Sequence, residues 1–299
     1  MQISAAIGTV IARDFPVVKY GERELADAKA EFTDEELAEL CELGLMRDDF
    51  EEYYVIREFC RMISLGDVAE GDYIAQLFKN ARKLSSDELE ENPYMKLRVP
   101  DVKDGDVTLT YGEYEAGEIF QYDMPDFGGR LVVPKLGFYT KKVRFPAIYE
   151  GDMPWVSVCP SEINSMRDDI AKASGRVLVL GLGLGYFAYM CARKEDVSKL
   201  VIVEINEKIL NIFKKHILPL MECRDKIELV LGDAIAYTDK IADGEFDFVY
   251  ADIWEGAVDG AEPYTAIKKN EKRLKDTKFA YWIEPQIRAY LAEQSKGSL

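Results

Sequence analysis

Residues 177–186, VLVLGLGLGY, constrain the fold more than any other stretch of the chain. Four large aliphatics run into glycines at every second position, and a helical pattern resumes at Tyr186. An unbroken apolar run of this kind reads as a strand covered on both faces. Gly181, Gly183 and Gly185 then permit a sharp turn into a helix, since glycine accepts φ > 0 and leaves backbone N–H groups open to a ligand. Two readings stand at this point, a nucleotide cradle or only a tight strand-to-helix turn. The spacing narrows the ligand: the dinucleotide fingerprint G-x-G-x-x-G needs glycine where Tyr186 stands, and no Gly-Lys-Ser/Thr phosphate loop follows.

Around this turn, strands and helices alternate. The pattern predicts helix 161–173, strand 177–180, helix 186–194, strand 200–204, helix 207–216 and strand 227–231. It continues with strand 246–253, helix 264–274 and strand 279–283. This is the signature of a doubly wound, Rossmann-like parallel sheet of the α/β class over residues 160–299. Residues 95–159 carry short β-prone runs at 107–111, 119–122, 131–133 and 137–140, as in a small antiparallel sheet. Residues 1–94 read as helices, with a capping box at Thr33–Glu36, an apolar pattern through Tyr54, Ile56, Phe59, Cys60 and Ile63, and a third helix over 73–84.

Charge bears on partners. The net charge is −17, and residues 21–92 hold 21 acidic against eight basic residues. Such a surface repels phosphate backbones, so nucleic acid is not an expected partner. No apolar run is long enough to span a bilayer, and the N-terminus lacks the pattern of a signal peptide. The five cysteines are widely spaced and odd in number, which fits free thiols in a reducing cytoplasm rather than a disulfide framework or a metal site. His216, the single histidine, follows Lys214 and Lys215 in a helix away from the ligand edge. Histidine-based nucleophilic or metal chemistry is therefore not expected.

Two acids give the glycine turn its company. Glu204 ends the second strand 19 residues beyond Gly185, where a carboxylate can accept from both hydroxyls of a ribose; an exposed acid at a helix start is the plain alternative. Asp233 ends the third strand, where it can accept from an adenine amino group or simply cap a helix. Ala234 offers a backbone N–H beside it, and Ile205 follows Glu204.

These features, in this order and at these strand ends, resemble the class I S-adenosylmethionine-dependent methyltransferase superfamily, and within it the spermidine synthase (aminopropyltransferase) branch. Val179 carries that last step, since ordinary methyltransferases place an acid there, and Val203-Glu204-Ile205-Asn206 is similar to the synthases' Val-Glu-Ile-Asp. The resemblance covers roughly residues 160–285. It implies S-adenosylmethionine held by Gly181, Gly183, Gly185, Tyr186, Glu204, Ile205, Asp233, Ala234 and Asp252. It further implies that Asp252 and Glu255 answer the synthases' Asp-x-x-Asp motif and handle the acceptor, with Trp254 stacking on the substrate or packing as a loop anchor.

There are departures. Leu184 replaces an acid, and only Glu162 remains of an upstream substrate-binding group, where it also reads as a first-turn helix acid. No sixth or seventh strand follows residue 283, which leaves a sheet edge for the N-terminal region or a second subunit to close, so a homodimer is one expectation. On these grounds the sequence predicts methyl transfer to a small-molecule acceptor. Aminopropyl transfer from the decarboxylated cofactor and a non-catalytic cofactor-binding protein stand as alternatives.

Overall fold

A computed structural model describes residues 79–126 and 133–296 of the chain. The helices expected at 33–44 and 54–63 lie outside those residues. In chain order the elements are β1 (Arg82–Leu84), α1 (Ser86–Glu91), β2 (Val102–Asp104), β3 (Val107–Tyr114), β4 (Phe120–Asp126), β5 (Val133–Tyr139), β6 (Val143–Glu150) and β7 (Met153–Ser157). There follow α2 (Pro160–Lys172), β8 (Gly175–Leu180), α3 (Tyr186–Ala192), β9 (Val197–Glu204), α4 (Glu207–Ile212) and β10 (Ile227–Leu231). The last are α5 (Ala234–Thr238), β11 (Phe248–Ala251), α6 (Ala257–Lys268), β12 (Lys278–Tyr281) and α7 (Glu284–Lys296).

Two compact units divide the chain, Met1–Glu91 with Gly112–Phe145 and Asn92–Tyr111 with Pro146–Leu299. Residues 92–111 pack with the Rossmann-like unit, because Tyr94 is buried there and donates its hydroxyl hydrogen to the Leu184 carbonyl. In the first unit, β1 pairs parallel with β5 and β4 pairs antiparallel with it, giving the order β1-β5-β4. Phe120 stacks on Tyr114 with ring centroids 3.9 Å apart. A helix had been expected through 84, but residues 82–84 are the strand β1.

The second unit is built on five parallel strands in the order β10-β9-β8-β11-β12. Side chains alternate between its faces, as a pleated strand requires. Val177, Val179, Leu200, Ile202, Phe248 and Tyr250 enter one apolar cluster, under α2, α3 and α4. Leu178, Leu180, Val201, Val203, Val249 and Ala251 enter the other, under α5, α6 and α7. Each β8 residue from Val177 to Leu180 is no more than 3% exposed, so the aliphatic run fills both layers. A second sheet, β2-β3-β6-β7, contains three strands that the sequence pattern missed, β2, β6 and β7, the last two being the longer. Pro146 and Pro154 interrupt the alternation of β6 and β7, as proline tends to in strands.

The helix expected at 264–274 begins earlier, at Ala257, and ends at Lys268, with Pro263 inside it. α7 follows β12, where no element was expected. No helix among the described residues is long and apolar enough to cross a membrane.

Candidate functional site

In an open parallel sheet, ligands meet the carboxyl edge where the strand order reverses. Here the chain winds outward from β8 through β9 to β10, then returns to the other side of β8 with β11. The reversal thus sits between the exits of β8 and β11, which are the glycine turn and Asp252. They touch through the backbone: Asp252 N–H donates to the Leu180 carbonyl at 2.8 Å. A Cβ on Gly181 would lie 1.9 Å from the Asp252 carbonyl oxygen, so no other residue fits there without moving β11. Gly185 has φ 73° and precedes α3, and a Cβ on it would lie 2.3 Å from the Phe213 ring. At Gly183 the nearest atom, Val156 Cγ2, is 3.2 Å away, so this is the least crowded of the three.

Glu204 is more than the end of a strand. Its Oε2 accepts from Leu182 N–H at 3.0 Å and its Oε1 from Asn206 N–H at 2.7 Å. Its carbonyl accepts from Gly232 N–H at 2.9 Å. One residue therefore ties together the glycine turn, the start of α4 and the loop after β10. Each carboxylate oxygen still has lone pairs to offer at the sheet edge. Ile205 beside it is 70% exposed, an unusual state for a large aliphatic and a ready apolar face for a planar ring.

Asp233 caps α5, accepting from Ala236 N–H at 2.7 Å through Oδ1. Its Oδ2 makes no hydrogen bond among the described residues. Ala234 starts α5 and is buried.

The exit of β11 is different in kind. Asp252 leaves β11 on the face covered by α2, and Glu162 stands in the first turn of that helix. Both carboxyls lie deep enough to lose most of their hydration, although part of each side chain stays accessible. Neither takes a hydrogen bond from the described residues. Burial pushes the Glu162 carboxyl up to about 7. Burial first, and the neighbouring Glu162 second, hold Asp252 well above the usual carboxylate range. Cys159, ahead of α2, is raised by burial and by Glu162 in turn.

Trp254 packs inward. It is 7% exposed, its indole N–H donates to the Trp282 carbonyl at 3.2 Å, and its ring contacts Gly260. The loop-anchor reading describes it, and stacking on a substrate requires it to leave that position. Glu255 is exposed and its backbone N–H donates to Asp259 at 2.7 Å. Tyr186 is buried, and its hydroxyl accepts from Asn92 at 3.1 Å. Leu184 is packed into the core at 2% exposure.

Residues 164–272 match the spermine/spermidine synthase domain. The chain is 24% identical over 162 residues to a polyamine aminopropyltransferase of Prochlorococcus marinus, an overlap of 49% of this chain and 55% of that protein. The chain thus spans about half the length of the curated relative it matches. A spermidine synthase structure from Thermotoga maritima is similar at 15% identity and TM-score 0.35, covering 61% of this chain and 55% of that one. A putative O-methyltransferase from Klebsiella pneumoniae is similar at 18% identity and TM-score 0.28, covering 35% and 47%.

Sequence reasoning missed two parts of the second unit. Asn92 and Tyr94 clamp the glycine turn and α3 from outside the motif, the first through Tyr186 and the second through Leu184. The available signal is the change from a helical to a β-prone pattern between residues 1–94 and 95–159. Tyr250 puts a phenol into an otherwise apolar strand beneath α2, and the polar atom in the run FDFVYAD was the available clue. Among the described residues no cluster of three His, Cys, Asp or Glu side chains forms a metal site. Cys159, Cys191 and Cys223 are free.

Proposed function

We propose that this domain transfers an aminopropyl group from decarboxylated S-adenosylmethionine to an amine. The observation that carries this reading is the pair of poorly hydrated carboxyls, Asp252 and Glu162, at the strand exit beside the glycine turn. A carboxyl whose proton affinity is raised toward the working pH is matched to taking a proton from an amine as its nitrogen attacks. The matching synthase domain and the aminopropyltransferase relative support the same reaction class.

The edge residues fit an adenosyl sulfonium. Glu204 offers acceptors for ribose hydroxyls, Ile205 an apolar face, Asp233 Oδ2 an acceptor for an amino group, and Gly183 room for close approach. When bound, the sulfonium supplies an electrophilic carbon with a good leaving group. A nitrogen–carbon bond forms as the carbon–sulfur bond breaks, the electron pair leaves with sulfur as a neutral thioether, and the amine proton passes to Asp252. Alignment of the two reactants provides most of the acceleration in such a displacement. Glu162 keeps a second carboxyl facing Asp252, which raises the proton affinity of the base and attracts a cationic acceptor.

Methyl transfer from S-adenosylmethionine is the second reading, and Leu184 favours it: the synthases' acid at that position contacts the aminopropyl side, and here it is an aliphatic in the core. The deciding experiment incubates the protein with a panel of diamines and either the decarboxylated or the intact donor, followed by mass spectrometry. The expected product is an aminopropylated diamine from the decarboxylated donor alone. A methylated product from the intact donor establishes the second reading. A thermal-shift series with the same donors and NAD tests the cofactor class, since a specific ligand raises the melting temperature by mass action.

A further inference from the structure

Tyr250 is 1% exposed, and its hydroxyl oxygen has no hydrogen-bond partner. Its ring is fixed, stacked on Phe187 with centroids 3.8 Å apart and planes 3° from parallel. It cannot swing toward solvent. The register places it opposite Val179 and Ala280, on the face that α2 covers with Ile163, Met166 and Ile170. Asp252 lies two residues further along the chain and so leaves toward the same side. On α2, Glu162 and Asp169 are seven residues apart and share a face with Met166, which is buried in that cluster. A buried hydroxyl left without a partner costs about 1–3 kcal/mol. Where such a group sits among other polar groups, an ordered water normally completes it.

We propose that Tyr250 is a positioning residue for Asp252, acting through a water held between the tyrosine hydroxyl, the Asp252 carboxyl and the inward acids of α2. This rests on the reading of Asp252 as the proton acceptor of the site. The groups bearing most on the hydroxyl are Asp252 at the end of its own strand, Asp169 and Glu162 from α2 and Cys191 from α3. All are acids, and burial among them keeps the phenol protonated, so it is a donor throughout the working pH range. A donor aimed through water at Asp252 favours its ionised form. It thereby counters part of the upward drive that burial puts on the carboxyl.

The test is Tyr250→Phe in the ligand-free protein, with thermal unfolding followed from pH 5 to pH 9. At the acid end of the scan burial keeps Asp252 protonated, leaving no charge for the hydroxyl to support, so variant and wild type are expected to melt within about 1 °C of each other. Removing the donor raises the folded-state proton affinity of Asp252 further, and a raised carboxyl loses stability as pH rises. The variant is therefore expected to fall below wild type by about 2–4 °C at the alkaline end. In the Asp252→Asn background that pH-dependent gap is expected to vanish. A uniform gain at every pH overturns the proposal, because it marks a merely unsatisfied hydroxyl. A gap that persists in Asp252→Asn overturns it too, because the hydroxyl then acts through another group. No donor or acceptor enters this measurement, so its outcome is independent of the aminopropyl-transfer assay.

Discussion

Glu204 and Asp252 end the two strands that flank β8, and the protein treats them differently. Both oxygens of Glu204 are engaged by backbone N–H groups of adjoining loops, so its position is set by the backbone it holds. Asp252 takes no hydrogen bond among the described residues, is largely stripped of water and faces a second acid. The first arrangement suits a residue that must present acceptors at a constant place. The second suits one whose proton must come and go, because desolvation raises proton affinity while geometry alone does not. The proposed binding half is ordered by hydrogen bonds, and the proposed chemical half is defined by burial.

Substitutions separate the two halves. The largest effect is expected for Asp252→Asn, which should lower turnover by about 100- to 10,000-fold while leaving donor affinity close to wild type, read from kinetics and calorimetry on one preparation. An Asp252→Asn protein with full turnover on an identified acceptor would falsify the assignment of the base. Glu204→Ala should weaken donor binding on the order of 100-fold, since it loses acceptors for two hydroxyls and loosens the turn. Gly185→Ala combines a left-handed backbone with a clash against Phe213, so a loss of about 2–4 kcal/mol in denaturant unfolding is expected. Gly183→Ala at the roomier position should cost less stability and more donor affinity.

Smaller effects sharpen the contrast. Glu162 is raised from the ordinary carboxylate value to about 7, so its contribution to stability is present in acid and is lost as pH climbs through about 7. Glu162→Gln should flatten the decline between pH 5 and pH 8 seen in the melting temperature. Tyr94→Phe removes the hydroxyl that closes on Leu184, for an expected loss of about 1–2 kcal/mol and little change in donor affinity.

Much of the binding half was legible from residue order. The aliphatic run into Gly181, the acid at 204 and the acid at 233 each mark a strand end, because a buried parallel strand is almost wholly apolar and its first polar residue shows where it emerges. The chemical half was legible only in part. Asp252 was readable as a charge ending an apolar strand, and Glu162 as an acid in a first helical turn, but their mutual approach depends on how α2 lies across β11. Trp254 reads equally well as a stacking platform or as a packed anchor until the turn at Trp282 takes its N–H. β6 and β7 escaped notice because proline obscured their alternation.

Local pattern by itself determined the parallel sheet, its glycine turn and the acids at its carboxyl edge, since periodicity and strand-end polarity are properties of neighbouring residues. Only the tertiary structure decided that residues 92–94 clamp the turn, that Tyr186 and Leu184 face the core, and that Tyr250, Asp252 and Glu162 share one buried space. Those relations join residues roughly 90 positions apart. Burial, which sets the proton affinity of the acids, exists only once the layers have packed.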